Sequence, residues 1–291
     1  MSAQQLERRD TSVIMAFYAD EKLPEKESAL LVSQLLHTLA YLGRRYEVTL
    51  VDDGGLNGAL DIKGVVHTIK PEEHLGKAGA IREGLKTALK NNPDTKYFVQ
   101  PDFDNDPDCQ QAPKLLQILV ENSIGKDSKV MVLGERDYAL RRNGFLDEHR
   151  LAIFALQQQF CAQLGYPQIV DPTSGLRVYT RELAELFVKH GKSTGFGSDV
   201  EQLLIAAIEK ANVFPAKLTS ARRRADQTAV FKFIDCQNAL NLHADSLRAK
   251  GLGKVVDTFG MMLPDMPITI NTKDGDFKLI SDGKVIKGST S

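Results

Sequence analysis

Short apolar runs alternate with helix-like segments through the first half of the chain. Five buried strands are predicted by apolar runs at residues 13–17, 46–51, 65–69, 97–99 and 129–133. Helices are predicted over residues 25–42, where leucines recur on one face, and over residues 76–89. Strands that alternate with helices are typical of βαβ units around a mostly parallel sheet.

The second half of the chain has a different pattern. Helices are predicted over residues 145–164, 198–211 and 230–250, with one late strand at 214–218. From Pro264 onward the chain alternates apolar and polar residues, which predicts small surface hairpins or a partly disordered tail. We therefore expect a main α/β domain over residues 1–228 and a C-terminal helix with a small β tail over 229–291.

Composition narrows the class of protein. The 291 residues are 42% hydrophobic and 26% charged, which is ordinary for a globular chain with a full core. A formal net charge of -1 gives no overall attraction to nucleic acid, so no nucleic-acid partner is expected. Three widely spaced cysteines argue against a disulfide framework. The polar first twelve residues and the absence of any long apolar run predict a cytoplasmic protein without a transmembrane segment.

Polar clusters follow three of the predicted strands, directly after Phe17, Val51 and Val99. In open α/β sheets, ligands bind beyond the carboxyl ends of the strands. We therefore expect the ligand site of this chain at that edge of the sheet.

The second strand leads into an acidic turn, Asp52-Asp53-Gly54-Gly55. Two adjacent carboxylates can accept hydrogen bonds from a ribose or a base, and the glycines allow the backbone to approach a ligand closely. Asp and Gly are also favoured in an ordinary strand-exit turn, so this motif alone leaves both interpretations open.

The fourth strand leads into a denser acidic segment, with four carboxylates in the seven residues 102–108. Such like charges repel one another unless a cation neutralises them. Hard oxygen ligands suit Mg²⁺ or Mn²⁺, which commonly bind one or two carboxylates together with substrate phosphates. A solvated acidic loop that caps the following helix is the alternative.

The third segment, residues 74–84, holds several glycines and Lys77 at a predicted helix start. It has neither the Walker spacing nor the GxGxxG spacing of dinucleotide folds. An ordinary helix start is favoured, and a diphosphate facing the helix N-terminus is the alternative. The run Arg222-Arg223-Arg224 is either a solvated surface or a clamp on phosphate oxygens.

Taken in order, these segments resemble glycosyltransferase family 2, most closely its polyprenyl- and dolichyl-phosphate sugar synthases. Six segments between about residues 12 and 224 carry the resemblance: the opening strand and turn at 13–21, the VDDGS-like 51–55, the GKGxAxxxG-like 75–84, the DxD region at 97–108, the DxxSGFR-like 171–177 and the DxELL-like 197–204. Two departures occur in the opening turn, where Ala16 and Ala19 stand in place of the usual Pro and Asn.

The resemblance implies a GT-A nucleotide-diphospho-sugar transferase fold over residues 1–228. It implies a hexosyltransferase that uses Mg²⁺ or Mn²⁺ and a UDP- or GDP-linked sugar, with inversion at the anomeric carbon. A polyprenyl phosphate, a saccharide or a small-molecule hydroxyl is the implied acceptor.

The resemblance also assigns residues to roles. Donor binding is expected from a set spread over the six segments: Ala16, Phe17, Tyr18, Asp20, Asp52, Asp53, Gly76, Lys77, Gln100, Asp102, Arg136 and Arg177. Asp102 and Asp104 are the expected metal ligands in either of two registers. The DxD is Asp102-Phe103-Asp104 by inspection, and Gln100-Pro101-Asp102 when counted back from Asp106-Pro107-Asp108.

Asp199, at the start of its predicted helix, is the expected general base for an acceptor hydroxyl, and Glu201 is the second candidate. With an anionic phosphate acceptor no base is required, and Asp199 would then orient the acceptor or the sugar. The alternative for Glu201 is a helix-start carboxylate stabilised by the helix dipole.

Two other classes stay open. A non-catalytic nucleotide-sugar-binding or interaction module is compatible with the departures at Ala16, Ala19 and Gln100. A nucleotidyltransferase would carry a glycine- and arginine-rich loop after the first strand, where this chain has Ala16 to Asp20. The sequence also leaves open whether the chain is a monomer or a homo-oligomer. The apolar stretch 255–263 is expected to pack into a core or an interface, with contact to a membrane surface as the alternative.

Overall fold

The computed structural model describes residues 10–19, 24–54, 65–102, 109–123, 129–136, 158–195, 197–219, 229–259, 268–272, 275–279 and 285–287. Seven strands form one sheet: β1 (Thr11–Phe17), β2 (Glu47–Asp52), β3 (Val65–Ile69), β4 (Tyr97–Gln100), β5 (Val130–Arg136), β6 (Arg177–Thr180) and β7 (Asn212–Leu218). Their spatial order is β3-β2-β1-β4-β6-β5-β7. The neighbours pair in parallel except for β6, which runs antiparallel to both β4 and β5.

The helices over the described residues are α1 (Glu25–Gly43), α2 (Gly76–Asn91), α3 (Ala112–Ser123), α4 (Arg181–His190), α5 (Ser198–Ile208), α6 (Ala229–Leu242), α7 (Ala244–Ala249) and α8 (Gly253–Phe259). A further helical segment covers 158–163. The predicted strands and the first two helices are confirmed. The helix expected after the acidic segment 102–108 is α3. The pattern missed α4, α8 and the four-residue strand β6, and the helix predicted over 230–250 is interrupted at His243.

The sheet is covered on both faces, as its apolar strands require. On one face, Leu35, Leu39 and Leu42 of α1 pack with α3 and are at most 1% exposed. Burying a leucine side chain of this kind stabilises the fold by about 1.5–3 kcal/mol. On the other face, α2, α4 and α5 form a second core with the C-terminal helices.

The C-terminal helices belong to this second core. Leu240, Leu247, Val255 and Phe259 are at most 5% exposed and lie in the same apolar cluster as the sheet residues Ile14 and Phe98. The described part of the apolar stretch 255–263 thus packs into the core, and residues 260–263 lie outside the described residues. Over the part of the chain that the structure describes, no helix is long and apolar enough to cross a membrane.

The tail forms a small antiparallel sheet in the order β10-β9-β8, with strands β8 (Ile268–Thr272), β9 (Gly275–Leu279) and β10 (Val285–Lys287). This agrees with the hairpins predicted for the tail. The division into domains at residue 228 stays a prediction, and the burial of α6–α8 against the main core shows how closely the two parts are joined.

A close contact at the middle of α2 holds this helix against β1 and β2. A Cβ added to Gly84 would lie 2.7 Å from Ile14 Cγ2 and 3.1 Å from Val51 Cγ2. The glycine therefore allows α2 to approach the sheet more closely than any other residue would. The first turn of α2 is thereby brought beside the carboxyl ends of β1, β2 and β4.

Candidate active site

The ends of β1 and β2 and the approach to α2 are joined through Asp53. Its backbone N–H donates to the Phe17 carbonyl at 2.9 Å, and its Oδ1 accepts from the Leu75 amide at 2.6 Å. The His74 Nδ1 atom lies 3.0 Å from Asp53 Oδ2. Asp53 is only 6% exposed. Its carboxylate therefore holds this corner of the site together.

An aromatic surface lies above the same corner. Tyr18 is 47% exposed, and its ring centroid lies 4.6 Å from that of His74 at an interplanar angle of 43°. Gly54 has a φ of +132°, and an added Cβ would lie 3.3 Å from the Tyr18 ring. The turn after β2 thus needs glycine both for its backbone and for contact with Tyr18. An exposed ring at this position can stack on a planar base.

Three elements bring a cation and two carboxylates together at the centre of the site. Lys77, in the first turn of α2, places Nζ 3.0 Å from Oδ1 of Asp102 after β4 and 3.1 Å from Oδ2 of Asp199 at the start of α5. The side chains are 21%, 32% and 10% exposed respectively. All three are thus shielded from most of the solvent but still reachable from it.

The protonation of Lys77 follows from these contacts. Burial opposes the charged form and lowers the pKa of Lys77, but the carboxylates of Asp102 and Asp199 raise it by more, so that the pKa lies above its ordinary value. Lys77 is therefore an ammonium ion at neutral pH. It can stabilise negative charge but cannot accept a proton as a base.

The Asp102 carboxylate lies directly on the backbone of Gly175. A Cβ added to Gly175 would lie 1.8 Å from Asp102 Oδ2 and 2.0 Å from Cγ. Position 175 of the 171–177 segment therefore requires glycine, because only glycine leaves room for the Asp102 carboxylate.

Arg177 lies at the first position of β6 and is completely buried. Its guanidinium donates to the carbonyls of Pro172, Ser174 and Asp199, the last at 2.7 Å. It also donates to Oε1 of Gln202 at 3.3 Å. These bonds join the turn below Asp102 to the start of the helix that carries Asp199. This burial disfavours the predicted contact between Arg177 and the nucleotide-sugar donor. We assign Arg177 a positioning role.

Replacing Arg177 with lysine is expected to lower the free energy of unfolding by about 2–3 kcal/mol. One ammonium cannot reach three carbonyls in the directions that the planar guanidinium fork reaches, and buried carbonyls would lose their donors. Urea unfolding checks this. Arg181→Lys is the matched control, since Arg181 also caps backbone carbonyls but lies away from the site. A loss of unfolding free energy in Arg177→Lys no larger than in Arg181→Lys would contradict a role specific to the buried guanidinium of Arg177.

Gln100 is also buried, with 1% of its surface exposed. Its Oε1 accepts from Gln202 Nε2 at 2.7 Å and from the Tyr179 hydroxyl at 3.1 Å. In this structure Gln100 therefore anchors the end of β4 to α5 and β6. This burial favours a positioning role over the predicted contact with a donor, and it leaves Asp102 as the carboxylate that faces the site.

The side chains of Asp199 and Glu201 project from different sides of α5. Residues two apart on a helix project from nearly opposite sides, so Glu201 is turned away from Lys77. Glu201 is 4% exposed, and its Oε1 accepts from the amides of Lys192 and Ser193 at 2.7 and 2.9 Å. Burial raises the pKa of Glu201, but these bonds and one from His243 lower it by more, to below its usual range. Glu201 thus has the contacts of a structural anion, and Asp199 alone remains a candidate base.

The first turn of α2 is closed by the loop at 192–195. The Ala78 amide donates to the Thr194 carbonyl at 2.9 Å. Gly76 has a φ of +68°, and an added Cβ would lie 2.5 Å from that same carbonyl oxygen. The amides of Ala78 and Gly79 are therefore satisfied by this loop, while the Lys77 side chain extends to the two carboxylates of the site.

The remaining predicted residues have mixed outcomes. Phe17 is fully buried in the core and contributes its carbonyl to Asp53, while Ala16 is partly buried against the other core. Asp20 and Asp104 lie outside the described residues. Arg136 is the last residue of β5, and its side chain is also outside the described part.

The residues around Asp102 suit one kind of divalent-ion site. Among the described residues there is no group of three or more His, Cys, Asp or Glu side chains arranged to hold a metal. A Mg²⁺ or Mn²⁺ ion that binds with a nucleotide diphosphate needs only one or two carboxylates. Asp102 is partly exposed and set at a strand end, so it fits this kind of site, and Asp104 stays the predicted second ligand.

Three residues of the site had no role in the sequence interpretation: His74, Gly175 and His243. Gly175 lay within a motif that was noticed, but its contact with Asp102 depends on how β4 and β6 pair. A single histidine gives no sequence signal of its partners. His74 and His243 therefore required the tertiary structure.

Solved structures with the same fold include glucosyl- and mannosyl-3-phosphoglycerate synthases. Mannosyl-3-phosphoglycerate synthase from Rubrobacter xylanophilus superposes with a TM-score of 0.55 at 13% identity, covering 98% of this chain and 92% of that one. Glucosyl-3-phosphoglycerate synthase from Mycobacterium tuberculosis, in complex with phosphoglyceric acid, superposes with a TM-score of 0.53 at 17% identity, covering 93% and 88%. The chain has a GT-A fold.

The same Mycobacterium tuberculosis enzyme has been solved with Mn²⁺, UDP-glucose and phosphoglyceric acid, at a TM-score of 0.53 and 15% identity over 96% of this chain and 91% of that one. By sequence alone, no model of a protein family matches this chain, and no curated protein matches it. At these identities the structural likeness establishes the GT-A fold of nucleotide-diphospho-sugar transferases, as the sequence predicted. The predicted closeness to polyprenyl-phosphate sugar synthases is not shown by these neighbours.

Proposed function

We propose that this chain is a metal-dependent glycosyltransferase that moves a hexose from a nucleotide-diphosphate donor to an acceptor hydroxyl. The observation that carries the proposal is the Lys77 ammonium held between Asp102 and Asp199 at the carboxyl edge of a GT-A sheet. A cation, a metal-binding carboxylate and a base are the groups that transfer of a sugar from a diphosphate to a hydroxyl uses.

A UDP-linked hexose is the donor proposed first, with a GDP-linked sugar as the alternative. Support comes from the Mycobacterium tuberculosis neighbour, which was solved with Mn²⁺ and UDP-glucose. In this chain, the exposed Tyr18 ring beside His74 offers a surface for the base. Asp52 is buried at the end of β2, and its Oδ1 accepts from the Gly54 amide at 3.2 Å. We propose that it orients the nucleoside through this turn rather than binding metal.

Asp102 is proposed to hold the divalent ion, Mn²⁺ or Mg²⁺, with Asp104 as its partner. When bound, such an ion would neutralise charge on the diphosphate leaving group. An ion at Asp102 would lie close to Lys77, so the ammonium and the metal would both act on the same phosphates. Lys77 is proposed to hold the leaving phosphate by charge, in a partly closed setting where such charges act strongly.

Asp199 is proposed to have two tasks. Both of its oxygens face Lys77, at 3.3 and 3.1 Å, so it orients the ammonium. As the carboxylate at the N-terminus of α5 it can also accept the proton of an acceptor hydroxyl. With an anionic phosphate acceptor only the first task remains.

The acceptor proposed for first testing is a small phosphorylated hydroxy acid. Phosphoglyceric acid is bound by one of the structural neighbours, and it offers one free hydroxyl beside two anionic groups. A saccharide and a polyprenyl phosphate are the other acceptors for the panel. Inversion at the anomeric carbon stays a prediction, which the anomeric NMR signal of the product checks.

A non-catalytic nucleotide-sugar-binding module is the second candidate. It is favoured by the burial of Gln100, which stands at the first place of one DxD register. A pure binding module would bind nucleotide and metal but release no nucleoside diphosphate from a nucleotide sugar. Slow donor hydrolysis therefore separates it from the transferase.

A thermal-shift panel is the first test. UDP, GDP, ADP and CDP are each added with Mn²⁺, Mg²⁺ or EDTA. Either UDP or GDP is expected to stabilise the fold, and only when metal is present. At 100 times the dissociation constant a ligand stabilises by about 2.7 kcal/mol, which is readily measured. The Asp102→Asn variant is expected to lose the part of the nucleotide stabilisation that depends on metal.

Asp257→Asn is the matched control for Asp102→Asn, because Asp257 is 63% exposed and pairs only with a surface arginine among the described residues. It should behave as the original chain does. Metal-dependent stabilisation followed by release of the nucleoside diphosphate from UDP-glucose supports the transferase. Stabilisation without any release supports the binding module, and no response to any nucleotide contradicts both.

A further inference from the structure

Glu201 connects the C-terminal helices to the loop at 192–195. One oxygen, Oε1, accepts from the Lys192 amide, from the Ser193 amide and from His243 Nε2, the last at 2.9 Å. His243 lies between α6 and α7 and is 3% exposed, and Glu201 is 4% exposed. A buried carboxylate with three donors is a fixed point in the structure, because losing any donor leaves charge poorly compensated.

A second contact ties the same loop to the same helices. The Lys192 ammonium donates to the carbonyl of Leu242, the last residue of α6, at 3.1 Å. The loop is thus held on one side by the residues around His243, through one buried bond and one exposed bond.

On its other side the loop forms the support of the first turn of α2. The Thr194 carbonyl accepts from the Ala78 amide at 2.9 Å, and the Ser193 carbonyl accepts from Arg82 Nη1 at 2.9 Å. A Cβ on Gly76 would lie 2.5 Å from the Thr194 oxygen, so loop and helix are in direct backbone contact. Lys77 lies between Gly76 and Ala78, in the middle of this contact.

We propose that His243 is a positioning residue: through Glu201 it holds the loop 192–195 against α2, and so fixes Lys77 between Asp102 and Asp199. The C-terminal helices are then part of the construction of the active site. This inference rests on the proposed function for its catalytic consequence, but its structural part stands without it. The lowered pKa of Glu201 agrees, since burial raises that pKa and the donors, His243 first, more than offset it.

Amide hydrogen exchange tests the structural part directly. His243→Leu removes the donor and keeps an apolar side chain, and we expect exchange at Ala78, Gly79, Lys192 and Ser193 to become about tenfold faster. His243→Gln can place an amide nitrogen near the same oxygen and should restore most of the protection. Arg248→Gln is the control, because Arg248 lies on α7 in an exposed pair with Asp257. It should leave those four amides unchanged.

Turnover tests the catalytic part. In donor hydrolysis with UDP-glucose and Mn²⁺, His243→Leu is expected to lower kcat about tenfold with little change in KM, because Lys77 is proposed to act on the leaving group rather than on ground-state binding. His243→Gln should recover most of kcat. Arg248→Gln should match the original chain in both constants.

The outcomes separate this inference from the proposed function. If the original chain releases no nucleoside diphosphate, the proposed function fails, and the exchange experiment still decides whether His243 holds the loop. Unchanged exchange at Ala78 in a folded His243→Leu variant would overturn the inference. Faster exchange with unchanged kcat would overturn its catalytic part. Should His243→Leu not fold, Glu201→Gln weakens the same link, and unchanged exchange there would equally overturn it.

Discussion

Replacing Lys77 with methionine is expected to lower the rate of sugar transfer or donor hydrolysis by about 100- to 1,000-fold. This is the loss seen when one preorganised donor to a developing charge is removed. Methionine keeps an unbranched side chain of similar length, so packing in the first turn of α2 changes little. The charge at 3.0 Å from Asp102 and 3.1 Å from Asp199 is what disappears.

Binding should respond differently from turnover in this variant. Without the ammonium, Asp102 and Asp199 have no shared cation, so Mn²⁺ alone is expected to bind more tightly while kcat falls. Titration of Mn²⁺ and steady-state kinetics measure the two effects separately.

Lys86→Met is the matched control for Lys77→Met. It makes the same chemical change on the same helix, at a side chain that is 65% exposed and pairs with Glu83 at 3.3 Å. Such a surface pair contributes little, so activity should be unchanged. A Lys77→Met variant within threefold of the original kcat would remove Lys77 from the proposed mechanism.

Replacing Gly175 with alanine is expected to remove the Asp102 carboxylate from its place. The new Cβ would lie 1.8 Å from Asp102 Oδ2, far inside contact distance, and Gly175 lies beside the buried Ser174 and Leu176, which leave its backbone little room to move. A displacement of about 1 Å at such a site can cost 100-fold in rate. Metal-dependent stabilisation by the nucleotide should be lost as well, together with about 1–3 kcal/mol of folding stability from overpacking.

Two further variants make this prediction specific. Gly253→Ala is the control, because an added Cβ there would lie no closer than 3.4 Å to Arg248 Cγ and 3.9 Å to Arg248 Cα, which is ordinary contact. The double variant Gly175→Ala with Asp102→Ala relieves the clash, so folding stability should recover while metal-dependent binding stays absent. Nucleotide binding by Gly175→Ala at the original affinity and with the original metal dependence would show that Asp102 does not hold the ion.

Much of the fold was predictable because local patterns determine it. The apolar run at 13–17 and the leucines of α1 are long and regular enough to be assigned from their spacing alone. Strand β6 was missed because four residues carry almost no periodicity, and its position between β4 and β5 is set by pairing with both neighbours. The break at His243 was missed because nothing in the local sequence interrupts the helical pattern.

The candidate site was predictable as a set of segments and not as a geometry. The sequence alone placed acidic clusters at the ends of β2 and β4, since carboxyl ends of parallel strands meet at one edge. It also singled out Lys77, Asp102 and Asp199, and the structure places both carboxylates within 3.1 Å of the Lys77 ammonium. Gln100, Arg177 and Glu201 share those motifs but are buried. Motif membership does not distinguish a side chain that faces the ligand from one that supports it.

What the sequence by itself determined is the class of fold, the edge of the sheet where the candidate site lies and the types of group found there. These follow from residue spacing, which is local. Only the tertiary structure decided that Lys77 is shared by two carboxylates, that Asp102 lies on Gly175, and that Glu201 is paired with His243. Those contacts join residues 25 to 122 positions apart. They depend on how helices pack on the sheet, which no local pattern records.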